Sequence, residues 1–444
     1  MSRNNISSNM SSKKKERIGW YFYDFANSAF ATTVTTVFLG PFLTSVASAA
    51  ANDAGNIPFL WFEIAAGSYF PFIVSLSVAI QVFLLPLIGS IADNTKYKKH
   101  LLFLTTYIGS LSTLGFYFVT GTNYALGGAL FVIANINFGA ACVVYNSYLS
   151  YVAGEKSAET VSSMGWAYGY IGGGILLLLN LYFFSNAEHY GISTELSIRI
   201  CLASAGLWWG LFALITFFTL RNSPNKPHHT TNNILSHGFT SLIKTIKEAK
   251  NYPQALIFLL SYMFYNDGVQ AVIVLAAQFG NAEIGLTMDT LITVILIIQF
   301  VAFFGSLFFG YLAKKTNPLL ALKISIVIWI LVIFYAYFFL YTKLDFYIMG
   351  IVVGIVLGGT QAISRSIYSQ IIPIGKEAEY FSIYEVSEKG TSWLAPFLFG
   401  LIYNFTNSYR TAIISIVLFF IIGIILLLKF DFIEAKQKVK VTLQ

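Results

Sequence analysis

Twelve apolar runs, each long enough to cross a bilayer, follow one another through the 444 residues of this chain. A transmembrane helix needs roughly 20 mostly apolar residues. The runs cover residues 18–47, 69–91, 101–120, 125–151, 161–184, 198–220, 254–280, 289–313, 319–341, 347–372, 380–405 and 409–430. Between the sixth and seventh lies the one long polar stretch, residues 221–253. It opens with "RNSPNKPHHTTNN", which favours turns and disorder, and closes on "SLIKTIKEAK", spaced as a short amphipathic surface helix. The pattern predicts an all-α membrane protein: an N-terminal tail (1–17), a six-helix half (18–220), a linker (221–253), a second six-helix half (254–430) and a C-terminal tail (431–444). The apolar run after "SKKKER" continues too far for a secretory signal core, so it is expected to persist as the first span.

Only 11% of the residues are charged, against about 25% in an average soluble domain, and the deficit runs over the whole length. The net charge of +7 does not point to nucleic acid, because the basic residues sit in short loops, where they act as topology signals. One set of connections carries Lys13, Lys14, Lys15, Arg17, Lys96, Lys98, Lys99, Lys156, the linker lysines, Lys314, Lys315, Lys376 and the C-terminal lysines. The opposite set carries only Arg199, Lys343 and Arg410. Both termini and the linker are therefore expected to face the cytoplasm, in a cell membrane. Cys142 and Cys201 lie in apolar runs and read as small core residues. The five histidines are scattered, so no metal or other cofactor is expected. No nucleotide, hydrolase, serine-nucleophile or haem motif appears, which argues against an enzyme.

The halves resemble each other. "VYNSYLSYVAGEKSAE" closes span 4 and "SRSIYSQIIPIGKEAE" closes span 10. "IGSIADNTKYKK" closes span 2 and "FFGYLAKKTNP" span 8; "FYDFAN" stands in span 1 and "FYNDGV" in span 7. Such pairs indicate a duplication, with a site near mid-membrane where repeats meet.

Polar residues inside the spans are the candidate site. Asp24, Asn27, Ser28, Ala31 and Thr35 fall on one face of a helix in span 1, with Asp24 about 10 Å beyond Arg17 at 1.5 Å per residue. Span 7 places Asp267, Gln270, Val274 and Gln278 on one face, with Asp267 about 20 Å from its start. A carboxylate at that depth costs roughly 2.5–3.5 kcal/mol on insertion scales and marks function by default. In span 10, Gln361, Arg365 and Tyr368 share a stripe; in span 11, Glu385 precedes Lys389 by four residues, the favourable order for a helical ion pair. Asn146 closes span 4. Gly89 and Asp93, followed by Lys96, Lys98 and Lys99, form a loop suited to a latch. Gly89 allows close helix approach, Asp93 can accept from donors at a helix N-terminus, and Lys98 and Lys99 sit over anionic headgroups. Gly165, Gly169 and Gly173 make a small-residue face in span 5, expected to pack closely, at an interface able to slide between the halves.

Together "WYFYDFANSAF", "YNDGVQ", "GGTQAISRS" and "IYEVSEKGTSWLAP" resemble the vacuole-effluxer-like, autophagy-related branch of the major facilitator superfamily. The resemblance covers nearly the whole chain, although Glu388 stands where the family usually has glycine. It implies a twelve-helix fold in two pseudo-symmetric halves. The short loops look more like bacterial members than fungal ones; fungal members are associated with export of amino acids from the vacuole.

The expectation is a secondary transporter of a small polar or zwitterionic solute, an amino acid among the candidates. Spans 1, 4, 7 and 10 would line the cavity, with Asp24, Asn27, Asn146, Asp267, Gln270, Gln361, Arg365, Tyr368 and Lys389 as substrate or coupling groups. Gly89, Asp93, Lys98 and Lys99 would serve the gate. Arg365 would fork onto a cargo carboxylate and Asp267 or Asp24 would take an ammonium. Asp267, gaining and losing a cationic partner, is the first candidate for proton coupling. One chain holds a complete cavity, so a monomer suffices. A non-transporting receptor or scaffold on the same fold would have little need of these charges.

Overall fold

The structure, a computed structural model, describes residues 3–154, 157–222, 250–390 and 392–441. Lys156 and most of the linker, with its expected surface helix, lie outside the described residues.

Among the described residues, eleven helical stretches are long and apolar enough to cross a membrane, from Lys13–Ala49 to Tyr409–Leu428. The first is composite: α1 (Arg3–Ala29), a π-helical segment (Phe30–Phe38) and α2 (Leu39–Ala49). Four more spans lie on α3 (Tyr69–Asn94), α4 (Lys98–Leu114), α5 (Tyr124–Asn146) and, after the short α6 (Leu149–Ala153), α7 (Ala158–Ser185). α8 (Thr194–Thr219), α9 (Pro253–Ile284), α10 (Met288–Lys315), α11 (Pro318–Phe338) and α12 (Lys343–Ile371) continue the series.

The run 380–405, expected as one span, is two helices: α13 (Glu377–Gly390) and α14 (Leu394–Thr406). Pro396 explains where the chain breaks. In a continuous helix its ring would strike the carbonyl of residue 392. In the first turn of α14 it needs no backbone donor. The last span is α15 (Tyr409–Ile414) with α16 (Val417–Leu428), and the tail forms a further helix, α17 (Phe432–Val441).

The π segment corrects the polar stripe expected in the first span. Thr36 Oγ1 donates to Ala31 O at 2.8 Å and Leu39 N–H to Val34 O, both five residues back. Each π turn takes up more chain than an α turn, so the face shifts. Asp24 and Asn27 are buried, whereas Thr35 and Thr36 are exposed. The straight-helix spacing does not carry through to Thr35.

The described chain forms two compact units: one within 1–85, 97–145 and 168–223, the other within 86–96, 146–167 and 224–444. In the first, α7 lies against α1 through its glycines. A Cβ on Gly172 would stand 2.2 Å from Phe25 O, and one on Gly169 2.7 Å from Ser28 Oγ. The small-residue face thus packs on α1 inside this unit; it was expected at an interface between halves. Trp20 stacks on Tyr145 at 4.5 Å, and Tyr23 stacks on the same ring at 4.8 Å. The connection between the first two spans carries a hairpin, β1 (Asn56–Phe59) antiparallel to β2 (Phe62–Ala65).

In the second unit α10 and α12 meet backbone to backbone. A Cβ on Gly305 would lie 2.3 Å from Ile355 O, and one on Gly358 2.2 Å from Ala302 O. Glycines at these positions let two helices approach closely where the lipid supplies no hydrophobic drive.

Candidate functional site

Two sets of buried polar residues in the second unit bring candidate site residues together. One collects the ends of α3, α5 and α7 that adjoin the lysine-bearing loops, and joins them to α12 and α13. Asp93 Oδ2 accepts from the backbone N–H of Glu379 at 2.9 Å, in the first turn of α13. The first N–H groups of a helix lack intrahelical partners and favour an anion. The Glu379 carboxylate in turn accepts from Ser90 Oγ at 3.0 Å and Asn94 Nδ2 at 3.1 Å. Gly89 allows this closeness, since a Cβ there would stand 2.4 Å from Ala378 O.

Arg365 is the centre of the same group and is 2% exposed. Its Nε donates to Ser162 Oγ at 3.0 Å, Nη2 to Ser162 O at 2.9 Å, and Nη1 to Asn146 Oδ1 at 3.2 Å. The guanidinium also lies 5.1 Å from the Trp166 ring, within cation–π range. Asn146 passes the connection on, donating to Glu385 Oε1 at 2.8 Å, and Lys389 sits 3.6 Å from the other oxygen of that carboxylate. Glu388 has its own partner: Tyr262 Oη donates to it at 2.8 Å. Gln370 Nε2 donates to Glu159 at 2.6 Å, and Lys436 of α17 donates to Gln370 Oε1 at 2.8 Å. Beside this chain is a cavity of about 530 Å³ lined by Ser150, Glu159, Lys314, Ser369 and Glu377 among others.

The second group lies on α9 and α12. Gln361 Nε2 donates to Asn266 Oδ1 at 3.2 Å. Asp267, 1% exposed, accepts through Oδ2 from the N–H of Ala395 at 3.0 Å, in the first turn of α14. Three buried atoms here have no hydrogen-bond partner among the described residues: Asp267 Oδ1, Gln361 Oε1 and Asn266 Nδ2. Burying a polar group without a partner is unfavourable by roughly 1–3 kcal/mol, so three loose ends in one neighbourhood suggest something to be bound.

The remaining expected residues are distributed as follows. Gln270 is half-buried on α9, while Val274 on the same stripe is 64% exposed. Tyr368 is fully buried and donates to Tyr380 O at 2.9 Å. Asp24 lies in the first unit, buried with its Cβ 3.4 Å from the position of a Cβ on Gly169, and Asn27 Nδ2 is 3.8 Å from Cys142 Sγ. Lys98 is 4% exposed and Lys99 half-buried, so Lys98 does not stand out over headgroups as its loop position suggested. Ser162, Glu159, Gln370, Glu379 and Asn266 were not anticipated. Their signal is weak in a sequence, since serine, glutamine and asparagine in a span also satisfy neighbouring carbonyls.

Comparison with known proteins gives the context. The family profile described as vacuole effluxer Atg22-like matches residues 12–159 and 153–440. An uncharacterized MFS-type transporter of Bacillus subtilis, YxiO, is 30% identical over 93% of this chain and 94% of its own length. Autophagy-related protein 22 of Kluyveromyces lactis is 27% identical over 93% and 92%. Among solved structures, the proton:xylose symporter XylE superposes with a TM-score of 0.70 at 14% identity, covering 95% of both chains. The human organic anion transporter MFSD10 gives a TM-score of 0.69 at 10% identity, covering 94% and 99%. These last likenesses establish the major facilitator fold, and none of these relatives indicates a catalytic family. The chain, a multi-pass membrane transporter, belongs to the vacuole-effluxer Atg22-like family.

Proposed function

We propose that this transporter carries a small zwitterionic solute, an amino acid, by alternating access, and that Asn266, Asp267 and Gln361 receive it. The observation that carries this reading is the set of unpartnered buried atoms. Two are acceptors, one of them a carboxylate oxygen, which suits an ammonium group; the third, Asn266 Nδ2, is a donor that suits a carboxylate.

Arg365 takes a different role from the one its stripe suggested. Its donors are committed to Ser162 and Asn146, so it closes the gate on the lysine-bearing side and does not fork onto cargo in this state. The Asp93–Glu379 and Glu159–Gln370 contacts belong to the same closure. The basic loops support a cytoplasmic side there, with both termini on it. Proton coupling through Asp267 fits its burial beside a helix terminus, and the chain works as a monomer in a cell membrane.

The test is binding and uptake by purified protein in proteoliposomes, screened against amino acids, sugars and organic anions. Wild type is expected to gain thermal stability from an amino acid and to concentrate it under an imposed pH gradient; Asp267→Asn should lose both. Undiminished binding and pH-driven uptake by Asp267→Asn would falsify the assignment.

A further inference from the structure

The hairpin between the first two spans ends in four apolar residues, Phe59, Leu60, Trp61 and Phe62, with Phe59 paired to Phe62 across the turn. Its base is tied down. Ile57 and Ile64 form a cross-strand pair with little exposure, and Tyr124 Oη donates to Pro58 O at 3.0 Å. Its tip is not covered: Trp61 is 86% exposed and Leu60 63%. Leu60 also holds a φ of 55°, a left-handed conformation that favours glycine in a two-residue turn. An apolar side chain thus occupies the place where backbone geometry alone would select none.

We propose that this tip is a membrane-inserting element, dipping into the lipid interface on the face opposite Lys13–Lys15. Three observations support a lipid surface as the occupant. The hairpin cannot leave the membrane, because it is joined to the first span on one side and runs through Ala66–Ser68 into α3 on the other. Its aromatic rings continue onto a lipid-facing helix: Phe59 and Phe62 lie 5.5 and 6.3 Å from Phe72, which is 41% exposed in the first turn of α3. Only 28% of that helix's most apolar window is buried inside the protein. Tryptophan is at home at the level where headgroups meet hydrocarbon.

The chemistry also sets the kind of attachment. No lysine or arginine stands between Arg17 and Lys96, and the two acidic residues of the connection, Asp53 and Glu63, are exposed. The connection itself offers no cation to anionic headgroups, so its insertion depends on apolar burial and is indifferent to lipid charge and salt.

The experiment uses the full chain in phosphatidylcholine vesicles, with Cys142 and Cys201 replaced by serine and a nitroxide attached at Trp61→Cys. Labels at Phe83→Cys, on an 80% exposed site of α3, and Asp53→Cys serve as lipid and water references. The label at 61 is expected to relax with oxygen more than with a water-soluble nickel chelate, as at 83. Relaxation by the chelate as at 53 would overturn the proposal, as would protection from both, which would mean that protein covers the tip. In unlabelled protein, Trp61→Phe is expected to remove emission quenched by lipids brominated near the headgroup; unchanged quenching counts against insertion. Addition of phosphatidylglycerol or salt should leave the accessibility ratio at 61 unchanged, and a clear dependence on either would overturn the apolar mode of attachment.

Discussion

α7 is held in two ways along its length. Beyond Tyr168 its glycines lie on α1, with Gly172 so close to Phe25 O that no side chain fits. In its first turns Glu159 and Ser162 instead accept hydrogen bonds from α12, Glu159 from Gln370 and Ser162 from Arg365, while Ser162 Oγ donates to Ala362 O at 2.7 Å. The first contact is shape. It has no slack, and nothing in lipid or water can replace it group for group. The second is a set of separate polar bonds, each of which water can take over in turn. A helix built this way stays fixed to one neighbour and can part from another, and in the proposed cycle the parting occurs at the Arg365 end.

The contrast can be broken at either end. The largest expected effect is at Gly172→Val, where the new side chain must drive α1 away. Roughly 3 kcal/mol of stability should be lost, as for other overpacked sites, seen as a lower unfolding temperature and poor recovery from detergent. An unfolding temperature equal to wild type would mean that this contact is not tight. Next comes Arg365→Lys, which keeps the charge but loses the fork that reaches Ser162 and Asn146 together. Transport should fall about tenfold, the equivalent of roughly 1.4 kcal/mol, with more labelling of a cysteine placed at Ser369 from the lysine-bearing side. Labelling that stays at the wild-type level would show that the polar end does not hold the gate. Smallest is Lys436→Ala, which removes an exposed donor to Gln370. Stability should stay within about 0.5 kcal/mol of wild type, and a larger drop would make α17 part of the shape-held core.

Much of the fold was legible because hydropathy needs no knowledge of neighbours. The spans follow from it, and the Glu385–Lys389 pair needs only a spacing of four. The split of the eleventh run was signalled by Pro396 after "GTSW", but its apolar content masked the break. The π segment was not legible, since its residues "FATTVTTVF" read equally well on an α-helix. The partners of Arg365 lay beyond reach for another reason. Ser162 and Asn146 are about 200 residues away in sequence, and nothing local distinguishes a serine that meets an arginine from one that bonds its own carbonyls. The hairpin was hidden by its length, since four-residue strands leave too little alternation to detect.

The Asp267 carboxylate already occupies the N-terminus of the half-helix α14. Such an end attracts anions, and a tethered one holds the position at an effective concentration that a dissolved anion must exceed to displace it. At this helix end phosphate, sulfate or a free carboxylate therefore competes against a permanent resident. The helix end that would otherwise make this a site for anions instead holds a carboxylate whose other oxygen has no hydrogen-bond partner among the described residues. In the proposed function, selectivity against purely anionic solutes is set by the covalent connection of Asp267 to α9, before any contact with cargo is made.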